Sequence, residues 1–247
     1  MLANTLEVRN GKSGMALSEL ELFLRRMNPI LDVTLERLAE KKFRPDPIGG
    51  NRYSRITSIM SSAYKRHGHI LGRALLERLK DSGRFQVWTE ERFHLSHGSN
   101  EALARGLPPV SYRAIDLPYG EAGRVIPVDL LVYEPAGKRL RTYNVSRGNG
   151  AYDAGKKRLV VGEMLRTQMH LRDYARSLGL KVETAEAFVV SYYGLRAAPA
   201  PFSLVAEELD DHFQFPVHAA IEAVNAEFKA RLHDLIDEGA DFCLSPN

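Results

Sequence analysis

The chain has 247 residues, of which 44% are hydrophobic and 26% are charged. This composition is typical of a globular protein with one well-buried domain, with or without helical additions, and does not favour a disordered chain. The 34 basic residues against 31 acidic ones give a net charge of only +3. A nucleic-acid partner is therefore not predicted by net charge, and must be argued from where the basic residues lie.

The single cysteine, Cys243, excludes an intrachain disulfide and a cysteine-rich zinc site, and fits a reducing compartment. The first residues contain no basic segment followed by an apolar core, and no apolar run approaches the roughly 18 residues of a membrane helix. We therefore expect a cytoplasmic protein without a membrane partner.

The N-terminal part predicts a loose tail over residues 1–15 and then two short helices that meet at Asn28-Pro29. Ser18 and Glu21 have the spacing of a helix-starting capping box. Proline is expected to end the first helix. The Leu-rich faces of both helices need a partner, which is either the main domain or a second copy of the chain, as in a homodimer through the terminal helices.

The next segment begins with a linker over residues 44–50, where proline and glycine are frequent. Apolar residues at helical spacing then predict a long helix from Tyr53 to Lys80. Strand composition follows over Arg84–Leu95, then a loop around His97–Asn100 and a short strand over Val110–Leu117.

In the second half, apolar strands are predicted over Val125–Tyr133 and Leu140–Ser146, an amphipathic helix over Gly155–Leu178, a strand over Val182–Tyr193 and a closing helix over Val217–Asp237. This order predicts an α/β fold with a mixed sheet flanked by helices. We divide it into an N-terminal helical extension and linker, a core and a C-terminal helical extension, over residues 1–50, 51–196 and 197–247.

Polar residues on the two adjacent strands point to phosphodiester chemistry. Asn144 and Ser146 project from one side of their strand, and Asp129 on the neighbouring strand reaches that side if the register allows it. A metal-dependent phosphodiesterase needs carboxylates for Mg²⁺ and a nearby lysine. Asp129 supplies one ligand and Asn144 offers a neutral amide oxygen, but Ser146 does not replace a cation.

The order of elements over residues 53–194, with Pro127-Val-Asp129 on one strand and Asn144-Val-Ser146 on the next, resembles the PD-(D/E)XK nuclease superfamily. The resemblance implies a restriction-endonuclease-like core and a magnesium site that retains Glu77 and Asp129. It also implies that both defining residues of the third motif are replaced, by Asn144 and Ser146. Lys156 or Lys157 is a substitute for the missing cation, and Glu163 for the missing carboxylate.

A basic segment with three glycines follows the same strands. Seven basic residues stand against one acid, Asp153, and glycines lie beside them, so backbone amides and side chains together are suited to phosphate. A solvated basic face is the alternative. The seven are Lys138, Arg139, Arg141, Arg147, Lys156, Lys157 and Arg158.

The aromatic and histidine residues favour ordinary packing. His67 and His69 lie two positions apart on a helix and point about 200° from each other, so one is expected to be packed and the other exposed. Tyr192 and Tyr193 are strand aromatics, for which core packing is the default.

These observations give three hypotheses. The preferred one is a DNA-binding protein of nuclease-like fold, a pseudoenzyme whose phosphodiesterase activity is weakened or lost. The second is an active magnesium-dependent nuclease that uses Glu77, Asp129, Glu163 and Lys156 or Lys157. The third is a protein interaction or dimerisation module based on the terminal helices.

Overall fold

Five strands form one mixed sheet whose spatial order follows the chain. The first three strands are antiparallel neighbours, whereas the fourth is parallel to the third because a helix carries the chain back across the sheet between them. The computed structural model describes residues 17–121, 123–150 and 153–241. The strands are β1 (Gln86–Ser96), β2 (Gly123–Glu134), β3 (Arg139–Ser146), β4 (Thr184–Ser191) and β5 (Ser203–Leu204).

Helices cover both faces of this sheet, which confirms the predicted α/β fold with a mixed sheet flanked by helices. They are α1 (Leu17–Ala39), α2 (Gly50–Lys80), α3 (His97–Ala104), α4 (Ala154–Ser177), α5 (Leu209–Phe213) and α6 (His218–Asp241), with 3₁₀ turns at Pro109–Ala114 and Ala206–Glu208. Within the described ranges, none of these helices combines the length and apolarity needed to cross a bilayer.

The core has one layer on each side of the sheet. On one side, Leu130 and Tyr143 pack with residues of α1, α2 and α6. On the other side, Leu131 and Leu140 pack against Leu171 and its neighbours on α4. Since β2 and β3 contribute to both layers, they form the centre of the molecule.

The N-terminal segment is one helix, so the predicted helix end at Asn28-Pro29 is wrong. Proline inside a helix costs about 3 kcal/mol. Phe23, Met27, Leu31 and Leu38 are fully buried on one continuous stripe, and each such burial is worth about 1.5–3 kcal/mol. The free energy gained by burying these side chains therefore exceeds the cost of the proline. The stripe packs against α2 and α6 of the same chain, so the partner of its apolar face lies within the chain.

Two predictions between β1 and β2 are also wrong. Residues 97–100 are the first turn of α3 rather than a loop, and Ser99 in that turn is buried and donates a hydrogen bond to Ser96 O at 2.7 Å. Residues 110–114 form a 3₁₀ turn rather than a strand. Pro109 starts this turn with a fixed φ, and buried Tyr112 accepts a hydrogen bond from Leu107 N at 3.1 Å.

Candidate nucleic-acid interface

Strands β2 and β3 separate at Asp129. Their ladder runs from Glu134–Arg139 to Leu130–Tyr143 and goes no further. Beyond it, the Asp129 side chain takes the place of a backbone acceptor, since its Oδ2 accepts a hydrogen bond from Val145 N at 2.9 Å. A carboxylate therefore closes the gap between the two central strands.

A β-bulge in β2 determines which way Asp129 faces. Between the pairs Trp88–Leu131 and Glu90–Val128, two residues of β2 lie opposite one residue of β1. The side-chain alternation of β2 shifts at this point, because Val128 packs in the layer of α4 and Leu130 in the layer of α2. The bulge is thus the reason that the strand changes faces at Asp129.

Asp129 lines a depression of about 290 Å³ between the sheet and α2, together with Gly68, His69 and Gly72. Burial raises the pKa of its carboxyl, against the hydrogen bond from Val145 and the nearby His69. A carboxyl with a raised pKa in a cleft is a candidate functional group. The same geometry also serves the fold, because Val145 is buried and its N–H needs an acceptor.

Asn144 lies in a different cleft from Asp129. It is exposed and, with Glu163 and Thr167 of α4, lines a small cleft on the other side of the sheet. Glu163 Oε1 accepts a hydrogen bond from Arg124 Nη2 at 2.5 Å. The structure therefore brings Asn144 and Glu163 together, but it does not bring either of them to Asp129.

The other predicted metal ligand, Glu77, is engaged within its own helix. Its carboxylate forms ion pairs with Arg73 and Lys80, each at 3.0 Å. Glu77 is buried but does not line the depression beside Asp129. In the part of the chain that the structure describes, no three His, Cys, Asp or Glu side chains converge as metal ligands. Glu77 and Asp129 in this arrangement do not fit a shared magnesium site.

The seven basic residues fall into groups at the two ends of β3. Lys138, Arg139 and Arg141 lie at its start, roughly 25 Å of strand from its end. Lys138 donates to Glu183 at 2.6 Å, and Arg141 is buried and pairs with Glu134 at 3.1 Å. Only Arg139 of this group is exposed without an ion pair among the described residues.

The second group surrounds a basic cleft of about 510 Å³ at the end of β3. Lys65 of α2, Arg147 and Lys156 of α4 line it, with Ser146 and the backbone of residues 148–150. None of its described lining residues is an acid. Lys157 and Arg158 are exposed but line a separate, open depression along α4. Ser146 and Lys156 are thus a second pair of predicted catalytic residues that the structure brings together, in a different cleft from Asn144 and Glu163.

The backbone of Arg147 and Gly148 is held against the chain that follows β4. Tyr193 N donates to Arg147 O at 2.7 Å, and Leu195 N donates to Gly148 O at 2.8 Å. Gly148 has φ +62°, and a Cβ on it would lie 2.7 Å from Ser191 Cβ, so no other residue fits there without strain. This anchoring fixes the wall of the basic cleft.

The Arg147 guanidinium is positioned by aromatic rings. It lies 4.4 Å from the ring centroid of Tyr64 and 5.8 Å from that of Tyr193, within the range of cation–π contacts. Its Nε is buried and has no hydrogen-bond partner in the described ranges, where Arg147 also has no ion pair. The positive charge of Arg147 is therefore not neutralised by a carboxylate of those ranges.

A second pocket, which the sequence did not predict, adjoins the basic cleft between α2 and α6. This aromatic pocket has a volume of about 410 Å³, and its walls include Tyr64, His67, Arg147, Tyr193, Glu222 and Asn225. Tyr192 is buried as predicted, but Tyr193 is 42% exposed and forms part of the pocket wall. The predicted strand extends to Tyr193, but β4 ends at Ser191 and residues 192 and 193 form a turn, so the packing expected of a strand aromatic does not apply to Tyr193.

His67 lines the aromatic pocket and is held in place by contacts with α6. His67 is buried while His69 is exposed, as predicted. The ring of His67 stacks on Phe228 at 5.5 Å between centroids, and its Nε2 is 2.9 Å from Asn225 Oδ1. Burial lowers the pKa of His67, against the hydrogen bond to Asn225, so the imidazole is neutral at pH 7.

Comparisons of the chain with protein-family models, with curated proteins and with solved structures found no match. The functional conclusion therefore depends on the geometry of the two pockets and of the β2–β3 gap.

Proposed function

We propose that the protein binds nucleic acid, with DNA as the expected form, through the basic cleft, and that its phosphodiesterase activity is weakened or lost. The observation that carries this proposal is a cleft of about 510 Å³ in which Lys65, Arg147 and Lys156 face the same space and no described lining residue is an acid. Cations placed together without acids match the charge of a phosphate backbone.

The local backbone adds to this match. Gly148, Asn149 and Gly150 line the cleft, and backbone N–H groups and Arg or Lys side chains are the usual phosphate donors in nucleic-acid complexes. Arg147 has no ion pair among the described residues, so binding a phosphate there does not require an existing pair to break.

The proposal includes a restriction-endonuclease-like core of the PD-(D/E)XK type. It is supported by the order of elements from α2 to β4, in which a helix precedes three strands and another helix precedes the fourth, with α3 and a 3₁₀ turn inserted between β1 and β2. It is also supported by the carboxylate of Asp129 in the gap between the two central strands. Weakened cleavage is supported by Asn144 and Ser146 at the third motif. It is also supported by Glu77, whose carboxylate is paired with Arg73 and Lys80.

Binding to labelled 20-base-pair duplex DNA and to single-stranded DNA over a salt series tests the proposal. We expect affinity that falls steeply with salt and DNA that stays intact with Mg²⁺, Mn²⁺ or chelator. The double variant Lys65→Gln with Lys156→Gln should weaken duplex binding and lower the salt slope by up to about 2, since each phosphate contact contributes about 0.9.

A matched control removes two charges at the other end of β3, with Lys138→Gln and Arg139→Gln. It should leave both affinity and slope close to those of the unchanged protein. Equal weakening by the two double variants would contradict the placement of the interface. Metal-dependent cleavage that disappears in Asp129→Ala would establish the active nuclease instead, with magnesium as cofactor. No binding to either DNA would favour the interaction module, for which a homodimer seen by light scattering is the test.

A further inference from the structure

The aromatic pocket and the basic cleft are two parts of one composite site. Tyr64 and Arg147 line both of them. The guanidinium of Arg147 lies between the rings of Tyr64 and Tyr193 at the junction. A ligand bound in one part therefore lies next to the other part, because Tyr64 and Arg147 form the boundary between them.

The two parts differ in chemistry. The basic cleft presents cations and glycines, whereas the aromatic pocket presents ring surfaces, a polar edge, and Lys229 and His233. Tyr64 and Tyr193 are 48% and 42% exposed, so their rings are accessible for stacking. The polar edge consists of Asn225 and Glu222, whose Oε1 accepts hydrogen bonds from Asn225 Nδ2 at 2.8 Å and from Tyr192 OH at 2.7 Å.

We propose that the aromatic pocket holds a single unpaired nucleobase whose phosphate lies in the basic cleft, so that the preferred ligand is single-stranded DNA. This inference rests on the proposed function, because it assumes that the cleft binds the phosphate backbone. The base stacks against the accessible tyrosine rings, and its polar edge faces Glu222 and Asn225. An aromatic platform beside a cationic groove is the general solution for binding single strands.

The charges fix the orientation of the nucleotide. Glu222 lines the aromatic pocket together with Arg147 and Lys229, whereas the described lining of the basic cleft has three cations and no acid, so a phosphate is attracted more strongly to the basic cleft. A carboxylate accepts hydrogen bonds and donates none. Cytosine presents an amino donor where thymine presents a carbonyl acceptor, so we expect the pocket to favour cytosine over thymine.

Three single-stranded eight-residue ligands test this inference: (dC)₈, (dT)₈ and an abasic strand with the same phosphates and no bases. Binding of the full chain is measured by fluorescence anisotropy at one fixed salt concentration. We expect (dC)₈ to bind about 5- to 100-fold more tightly than the abasic strand, which is the range for stacking of one base. Affinity for (dT)₈ should lie between the two.

Variants of the protein test the contributions of the base and of the phosphate to binding separately. Tyr193→Leu removes a stacking ring and should bring (dC)₈ close to the abasic strand without weakening the abasic strand itself. Tyr53→Leu is the matched control, since Tyr53 is an exposed tyrosine of α2 that lines neither part of the site. Glu222→Gln places an amide where the carboxylate was, and should abolish the preference for (dC)₈ over (dT)₈.

The outcomes distinguish the two proposals. If all three strands bind equally and Tyr193→Leu changes none of them, the base pocket is wrong while phosphate binding in the cleft stands. If no strand binds and the duplex does not bind either, the proposed function is wrong and the base pocket with it. Weakening of (dC)₈ by Tyr53→Leu to the same extent as by Tyr193→Leu would also overturn the base pocket.

Discussion

The role of Asp129 is open to a direct test by two substitutions. Asp129 Oδ2 accepts the hydrogen bond from Val145 N at 2.9 Å, and Val145 is only 7% exposed. Asp129→Ala leaves this buried N–H without its acceptor, which costs about 1–3 kcal/mol. Asp129→Asn keeps an oxygen acceptor in the same place and removes the buried charge. We therefore expect Asp129→Asn to be at least as stable as the unchanged protein at pH 7.

The pH dependence adds a second signature. Burial raises the pKa of Asp129 in the folded chain above its ordinary value of 3.8. A raised folded pKa means that the folded state binds the proton more tightly, so the stability from this group is present at low pH and lost as pH rises through the folded pKa. The advantage of Asp129→Asn should therefore be largest at pH 7 and shrink as the pH is lowered towards 3.8.

Urea unfolding followed by circular dichroism at pH 7, 5 and 4 measures both effects. Asp234→Ala, an exposed residue of α6, is the control and should change the free energy of unfolding by no more than about 0.5 kcal/mol. If Asp129→Asn loses as much stability as Asp129→Ala, the carboxylate charge itself is needed. The structural account of Asp129 as a hydrogen-bond acceptor is then refuted.

Three further predictions test the fold around the site. Burial, with the nearby Arg141, lowers the pKa of His212 from 6.5 to about 4. The stability that neutral His212 contributes is therefore present above pH 6.5 and lost as pH falls towards 4, a loss of about 3 kcal/mol over the full interval. His212→Gln should reduce this dependence of the free energy of unfolding on pH, measured by urea unfolding. Gly148→Ala should lower stability by about 1–3 kcal/mol and weaken DNA binding, whereas Gly150→Ala, which meets nothing within 4 Å, should change neither. Gln168→Leu should cost about 2–5 kcal/mol by thermal or urea unfolding, because the buried amide donates to Ala185 O and accepts from the amide at position 187.

The order of the elements was predictable because the signals for them are local. The apolar period of α2 and the extended apolar runs of β2, β3 and β4 identify those elements without tertiary contacts. The N-terminal helix was not predictable in the same way. The rule that proline ends a helix is also local, and in α1 it is overridden by burial of Phe23 and Leu31 against α2 and α6.

The arrangement of the candidate site depends on contacts that no local pattern encodes. The bulge that turns Asp129 away from Asn144 arises from the pairing of β2 with β1, some 40 residues earlier in the chain. The basic residues are close in sequence but separated in space, since β3 is a straight strand with Arg139 at one end and Arg147 just beyond the other. The aromatic pocket joins four segments, around Tyr64, Arg147, Tyr193 and Glu222.

Under the proposed function, this arrangement makes binding and cleavage separable in the same protein. Arg147 and Lys156 lie at the end of β3, and among the described lining residues their cleft shares only Gly68 with the depression beside Asp129. The peptide at Val145 is what links the two regions, through its hydrogen bond to Asp129. The residues at positions 144 and 146 therefore differ from the motif of the proposed family without removing the cations of the basic cleft. Under the proposed function, a sheet of this kind keeps its nucleic-acid interface after the residues for cleavage have changed.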